Sequence, residues 1–264
     1  MSTTPSGSNG PFRVPPKLRR GARRCDEVAE LASAVWLIEH MCGHLGIDDL
    51  GASEVLDVGC GVKFTQALIN HKLPIKRYVG IDVQPEMIRY LERHVGDPRF
   101  EYYHLDARNE LYNPRGLQLS DTMPLPIDGQ TFDIVCLFSV FTHLAPRDFG
   151  TMLKLVRRFA QPESRLFFTL YVDERTAGGH GLMDSWSEVL AQVPPKDLER
   201  HLEKHPESAG PIKTFRDLDP TRPLNWAVYA EPYARELIEG TGWYAISLSP
   251  PDEYIQHHFV CAAE

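Results

Sequence analysis

Between Ser53 and Val172 the chain alternates short, almost wholly apolar runs with amphipathic segments, and this rhythm leaves few folds open. The runs are "SEVLDVG" (53–59), "KRYVGIDV" (76–83), "RFEYYHLDA" (99–107), "FDIVCLFSVF" (132–141) and "SRLFFTLYV" (164–172). Runs of this length without polar alternation read as strands buried on both faces, as in a parallel sheet covered by helices. The intervening segments carry helical spacing: "KFTQALINHKL" stopped by Pro74, "PEMIRYLERHV" with Pro85 in its first turn, and "PRDFGTMLKLVRRFA" opened by Pro146. Another helix, over "CDEVAELASAVWLIEHMCGHLGI", precedes the first strand and has Gly46 near its end. Residues 108–130 read as a long loop.

After Val172 the rhythm breaks. Residues 173–230 hold "AGGHG", "VPPKD", "HPESAGP" and "DPTRP", too much for an ordinary connection. They read as an insertion with a helical segment around 183–205, covering a site. A helix "EPYARELIEGTG", a strand "WYAISLS", a Pro-Pro-Asp turn and a strand "YIQHHFVCAA" follow, and the closing pair predicts an antiparallel hairpin. The expected fold is α/β: a doubly wound, mostly parallel seven-stranded sheet, one strand reversed near an edge, with a helical insertion after the fifth strand. One domain is expected over 21–264. Residues 1–20, "MSTTPSGSNGPFRVPPKLRR", read as a disordered leader.

The chain has 264 residues, 42% hydrophobic and 24% charged, as in ordinary globular proteins. No apolar run approaches the roughly 18 residues of a spanning helix. The cysteines (Cys25, Cys42, Cys60, Cys136, Cys261) are scattered with no CxxC pair, which indicates neither a zinc site nor a disulfide framework. Free thiols suit a cytoplasmic location. A net charge of −8 gives no global attraction to nucleic acid. The basic cluster "KLRRGARR" (17–24) reads as an anion-binding group or, more commonly for such clusters, as a solvated helix start.

In an open parallel sheet ligands bind at the carboxyl ends of the strands. "DVGCG" ends the first strand, and Gly59 and Gly61 let backbone approach a ligand there. The second strand ends in Asp82, 21 residues after Gly61, where a carboxylate can accept both hydroxyls of a ribose. A dinucleotide fingerprint would need a third glycine at position 64, which is Phe64. An adenosyl nucleoside fits better.

With "VLDVGCG", "VGID", "YYHLDA" and "FDIVCLFSVFTHL" in register, residues 50–172 and 231–263 resemble the class I S-adenosylmethionine-dependent methyltransferases. The resemblance implies S-adenosylmethionine as cofactor and S-adenosylhomocysteine as its product. It also implies roles: Asp57 and the Gly59–Cys60–Gly61 backbone on the methionine portion, Asp82 on the ribose, and Val83 against the adenine. Asp106 would accept from the adenine amino group with Ala107 beside it, and Phe138 and Ser139 would line the methyl end. Lys63 replaces a glycine common in the family; it either lies near the methionine carboxylate or, the favoured expectation, points to solvent.

The resemblance places the acceptor edge after the fourth strand. A hydroxyl acceptor gains from a base with a pKa near 7, and two histidines are candidates: His143 in "SVFTHLAP" and His180 in "AGGHG". The nucleic-acid amino-methylating motif, D/N-P-P-Y/F, is replaced by "FSVF", and Asp148 and Asp173 make an unpersuasive metal pair. No metal is expected. Trp186, Trp226, Tyr229 and Tyr233 either line an aromatic pocket or form the insertion's own small core. The expected activity is O-methylation of a small molecule, a secondary metabolite or sugar, with no nucleic-acid partner. The alternative is a methyltransferase-like binding protein without chemistry.

Overall fold

Asp26 opens the first long helix of the computed structural model, its carboxylate accepting from the N–H groups of Val28 and Ala29 at 3.1 and 3.0 Å. Gly46 closes that helix in left-handed backbone, φ 70°. The structure describes residues 11–20, 25–173, 196, 212–218, 222–249 and 256–264. Along them run α1 (Glu27–Leu45), β1 (Leu50–Val58), α2 (Lys63–Asn70), β2 (Ile75–Asp82), α3 (Pro85–His94), β3 (Phe100–His104) and β4 (Phe132–Leu137). Then come α4 (Pro146–Arg157), β5 (Ala160–Val172), β6 (Phe215–Asp217), β7 (Ala227–Tyr229), α5 (Glu231–Ile238), β8 (Trp243–Ser249) and β9 (His257–Ala263).

The main sheet has the order β3–β2–β1–β4–β5–β9–β8. Its neighbours are parallel from β3 to β5, and β9 runs against both β5 and β8. The expected seven strands and the reversed one are present. Among the described residues the sheet nonetheless has nine strands, because two come from the insertion: β7 extends the end of β5 through Tyr171–Val228 and Val172–Tyr229, and β6 pairs with β7. The helical segment expected around 183–205 lies outside the described residues.

Apolar strands bury both faces. Phe168 and Phe259 pack with Phe149, Leu153 and Trp243 on the α4–α5 face. The preceding Phe167 turns to the opposite face, with Ile38 and Met41 of α1 and Phe64 of α2. A third, small cluster joins Tyr171, Ile212, Leu218, Val228 and Ala230, with Trp226 and Tyr233 against it. Of the aromatics weighed for a pocket, Trp226 and Tyr233 belong to this small core, and Tyr229 is wholly buried in the main one. Trp186 lies outside the described residues.

The expectation of a disordered leader is corrected for residues 11–20. Val14 and Leu18 are buried, and the Phe12 N–H and carbonyl bond to the side chain of Asn70 at 2.7 and 3.0 Å. Arg19 is buried too, paired with Glu27 at 3.0 Å, so this part of the basic cluster is no solvated helix start. The segment crosses α2 and α3, where Tyr90 donates its hydroxyl to the Arg13 carbonyl.

Candidate active site

The strand order reverses between β1 and β4, which brings the carboxyl ends of β1, β2, β3 and β4 to one edge. Beyond Val58 the chain turns through Gly59 (φ 76°), Cys60 and Gly61 (φ 53°) into α2. A Cβ on Gly59 would lie 2.5 Å from Val140 Cγ2, whereas one on Gly61 would meet nothing within 4 Å. Packing thus requires the first glycine, and the second leaves open space beside the backbone. The turn is pinned to β2: the Gly59 and Cys60 N–H groups donate to the Ile81 carbonyl at 2.7 and 3.0 Å. Cys60 turns its thiol inward against Gly80, and burial pushes that thiol well above its ordinary pKa.

Asp82 closes the pin. Its Oδ2 accepts from the Gly61 N–H at 3.0 Å and its Oδ1 from the Gln84 N–H at 2.9 Å. The carboxylate is almost fully buried, and burial raises its pKa against the pull of those N–H groups and of Arg20. The Val83 N–H is a third partner, and the carboxylate keeps acceptor capacity for a further donor. Arg20 arrives from the N-terminal segment and bonds to Gln84.

Asp57 is buried beneath the turn. It accepts the Tyr78 hydroxyl at 2.5 Å, with Cys136 as a second partner, and burial lifts its pKa from 3.8 to about 7. The sequence reading gave this acid to a ligand's methionine portion; the structure commits its carboxylate to two core side chains. Lys63, expected to face solvent, is half-buried in the field of Glu30.

Past β3, Asp106 is exposed and accepts from Asn113 Nδ2 at 3.0 Å, while Ala107 is buried. Val83 is half-buried against the main core. These residues flank Asp82, because Asp82 pairs with His104 in register and its carbonyl accepts from the Leu105 N–H at 3.0 Å.

Past β4, the Phe138 ring packs edge-on to Phe64 at 4.7 Å. Ser139 has left-handed backbone, φ 56°. Its N–H donates to Thr169 Oγ1 at 2.8 Å, and Gln256 joins the group, accepting from Thr169 at 2.6 Å and donating to Ser139 Oγ at 2.9 Å.

His143 ends the helical turn Phe141–His143, with its Nδ1 3.0 Å from the Leu224 carbonyl. A carbonyl only accepts, so Nδ1 carries the proton and Nε2 of the neutral ring is an acceptor. Burial is the main cause lowering its pKa from 6.5, and Arg222 pushes the same way. Leu224 is also left-handed, φ 56°. Of three such non-glycine residues among those described, one enters the His143 turn and another holds its ring. Strained backbone of this kind clusters at functional sites.

Tyr112, from the loop 108–130, packs edge-on to His143 at 5.5 Å and lies in the fields of Arg20, Asp82 and Arg222. It therefore links the Asp82 side of the site to the His143 side. Sequence reasoning missed Tyr112, Arg20, Thr169 and Gln256. For Thr169 a signal existed, a lone hydroxyl in the apolar run "FFTLYV", and for Arg20 the basic cluster at 17–24 was one; for Tyr112 there was none. His180 lies outside the described residues. Asp148 and Asp173 are not a pair: Asp148 accepts from Gln118 at 3.2 Å, and Asp173, fully buried, accepts from the Ile212 N–H at 2.6 Å.

Residues 56–168 match the family described as methyltransferase domain. Magnesium protoporphyrin IX methyltransferase from Synechocystis, solved with bound SAH, aligns at a TM-score of 0.51 and 13% identity, over 93% of this chain and 89% of that one. A protein from Pyrococcus horikoshii aligns at 0.51 and 16%, over 90% and 94%. A mitomycin 7-O-methyltransferase aligns at 0.52 and 14%, over 92% of this chain and 56% of its own length. At such identities the likeness establishes the fold and nothing narrower.

Proposed function

We propose that this chain, whose residues 56–168 carry a methyltransferase domain, moves the methyl group of S-adenosylmethionine to a hydroxyl of a small molecule, with S-adenosylhomocysteine as the product. The bound donor supplies a methyl group already activated on a sulfonium. The chain's work is alignment, exclusion of water and removal of the acceptor's proton.

The residues at the strand ends fit such a donor. The open space beside Gly61 admits its backbone-like portion. Asp82 offers its remaining lone pairs to the ribose hydroxyls. Val83 and Ala107 give apolar edges to the adenine, with Asp106 for the amino group. Gly59, Phe138 and Ser139 face the methyl end. Asp57 and Cys60 act from beneath, by supporting the turn.

His143 carries the hydroxyl-acceptor reading. Its Nδ1 is fixed on the Leu224 carbonyl, and its pKa lies below 6.5, so the ring is neutral at pH 7 and Nε2 can take a proton. The acidic chain and the "FSVF" after β4 argue against a nucleic-acid acceptor, and a secondary metabolite or sugar fits. The segment 173–230 is assigned the role of cover, and His180 within it is the second candidate base.

Labelled donor incubated with a metabolite pool identifies the acceptor by the component that gains the label. His143→Ala should keep donor affinity while transfer per folded molecule falls about 10²–10⁴-fold. Full transfer in that variant, with a loss in His180→Ala, moves the base to the insertion. A parent that binds no S-adenosylmethionine overturns the reading.

A further inference from the structure

Away from the strand ends, α1 presents His40 and His44 at i and i+4, on one helix face. His258 of β9, buried, comes against them, and one ring nitrogen of each of the three lies within 4.8 Å of the others. We propose that His40, His44 and His258 form a binding site for one divalent transition-metal ion of the zinc class, with its fourth position open to water or to Ser249.

The distances favour a shared ion over a shared proton. His40 Nε2 and His258 Nδ1 stand 3.4 Å apart. That exceeds the usual hydrogen-bond range of about 2.7–3.2 Å. Two nitrogens bound at about 2.0–2.1 Å to one tetrahedral zinc lie about 3.3–3.4 Å apart. His44 completes the set by a small movement of its ring, and Ser249 Oγ lies 3.4 Å from His44 Nδ1. Among the described residues the group is three imidazoles. Such a set selects zinc, copper or nickel over magnesium or calcium, which require oxygen.

The surroundings hold the rings in place. Trp36 stacks on His40 at 4.5 Å, and Phe167 lies 5.7 Å from His258 and 6.2 Å from His44. His258 pairs in register with Thr169, whose hydroxyl receives the Ser139 N–H. An ion here ties α1 to the β8–β9 hairpin, one strand pair from the proposed acceptor edge. The expectation of no metal weighed the cysteines and the acids Asp148 and Asp173 and not the histidines, whose third member, His258, lies 218 positions after His40.

The test uses the full chain, free of any affinity tag and stripped with a chelator. Calorimetry with Zn²⁺ should give one ion per chain, and Co²⁺ should give the visible absorption of a low-coordinate nitrogen site. His40→Gln and His44→Gln, both at half-buried positions, should each weaken binding about a hundredfold or more. Both should melt like the metal-free parent. Stoichiometry well below one in the parent overturns the proposal whatever the variants do. So does binding that survives in both variants, which places the ion on other histidines. The donor affinity of the metal-free parent is a separate readout, so this proposal and the methyl-transfer reading can fail independently.

Discussion

Gly59 and Gly61 share left-handed backbone yet differ in what surrounds them, and alanine separates the two roles. Gly59→Ala places a methyl 2.5 Å from Val140 Cγ2 and adds the strain of a left-handed Cβ. It should cost about 2–5 kcal/mol of stability, read by urea unfolding. Gly61→Ala has no clash and should cost only about 1 kcal/mol. Its methyl fills the open space beside the turn, so donor affinity should fall while the fold persists. Equal effects of the two on stability would count against this division. Asp82→Asn tests the second arm of the site. The amide can still accept from Gly61 but loses the charge, and donor affinity should fall roughly tenfold or more in calorimetry. Asp57 shows how residue identity alone misleads. An acid before a glycine turn reads as a ligand contact, but the neighbours that decide its role, Tyr78 and Cys136, come from other strands.

At the scale of elements, the N-terminal segment has one 3-10 turn of its own, Pro16–Leu18, and is held by a few contacts to α1, α2 and α3. Its Leu18 is buried, and Leu18→Ala should cost about 2 kcal/mol or more. A variant with the parent's unfolding midpoint would make the segment's packing irrelevant to stability. This stretch was illegible in the sequence because its partners are distant, Phe12 meeting Asn70 58 residues away, and its Ser, Gly and Pro content favours disorder. The main strands were legible for the opposite reason: a strand buried on both faces must be apolar along its length, and that requirement shows in the carboxyl halves of β1, β2, β4 and β5, while β3 at the edge alternates buried and half-buried. The three-residue strands β6 and β7 carry too little periodicity to be seen. The glycine turn and Asp82 were legible because β1, α2 and β2 are consecutive. Gln256 was not, since the antiparallel β5–β9 register alone brings it to Thr169 and Ser139.

For the molecule as a whole, Asp57 and His143 are two of the shifted groups, and they act on the pH dependence of stability in opposite senses. Asp57 has its pKa raised from 3.8 to about 7 by burial. Between those values the folded chain holds a proton that the unfolded chain has released, so stability falls as pH rises through this window, by up to about 4 kcal/mol. His143 has its pKa lowered from 6.5, chiefly by burial. Below pH 6.5 the unfolded chain takes a proton that the folded chain resists, so stability falls as pH drops. Asp82, raised like Asp57, is present in parent and variants alike and largely cancels in their difference. Asp57→Asn mimics the protonated acid. It should match the parent near pH 4 and gain on it steadily to about pH 7. His143→Gln should match the parent above pH 7 and gain on it as the pH falls below 6.5. Denaturant unfolding of all three proteins at several pH values gives these differences directly. Variant curves parallel to the parent's would mean that Asp57 is already ionised in the fold, or that His143 protonates as freely folded as unfolded. Relative to the parent, stability should therefore rise with pH up to about 7 in Asp57→Asn and should rise with falling pH below 6.5 in His143→Gln, so the two differences carry opposite sign.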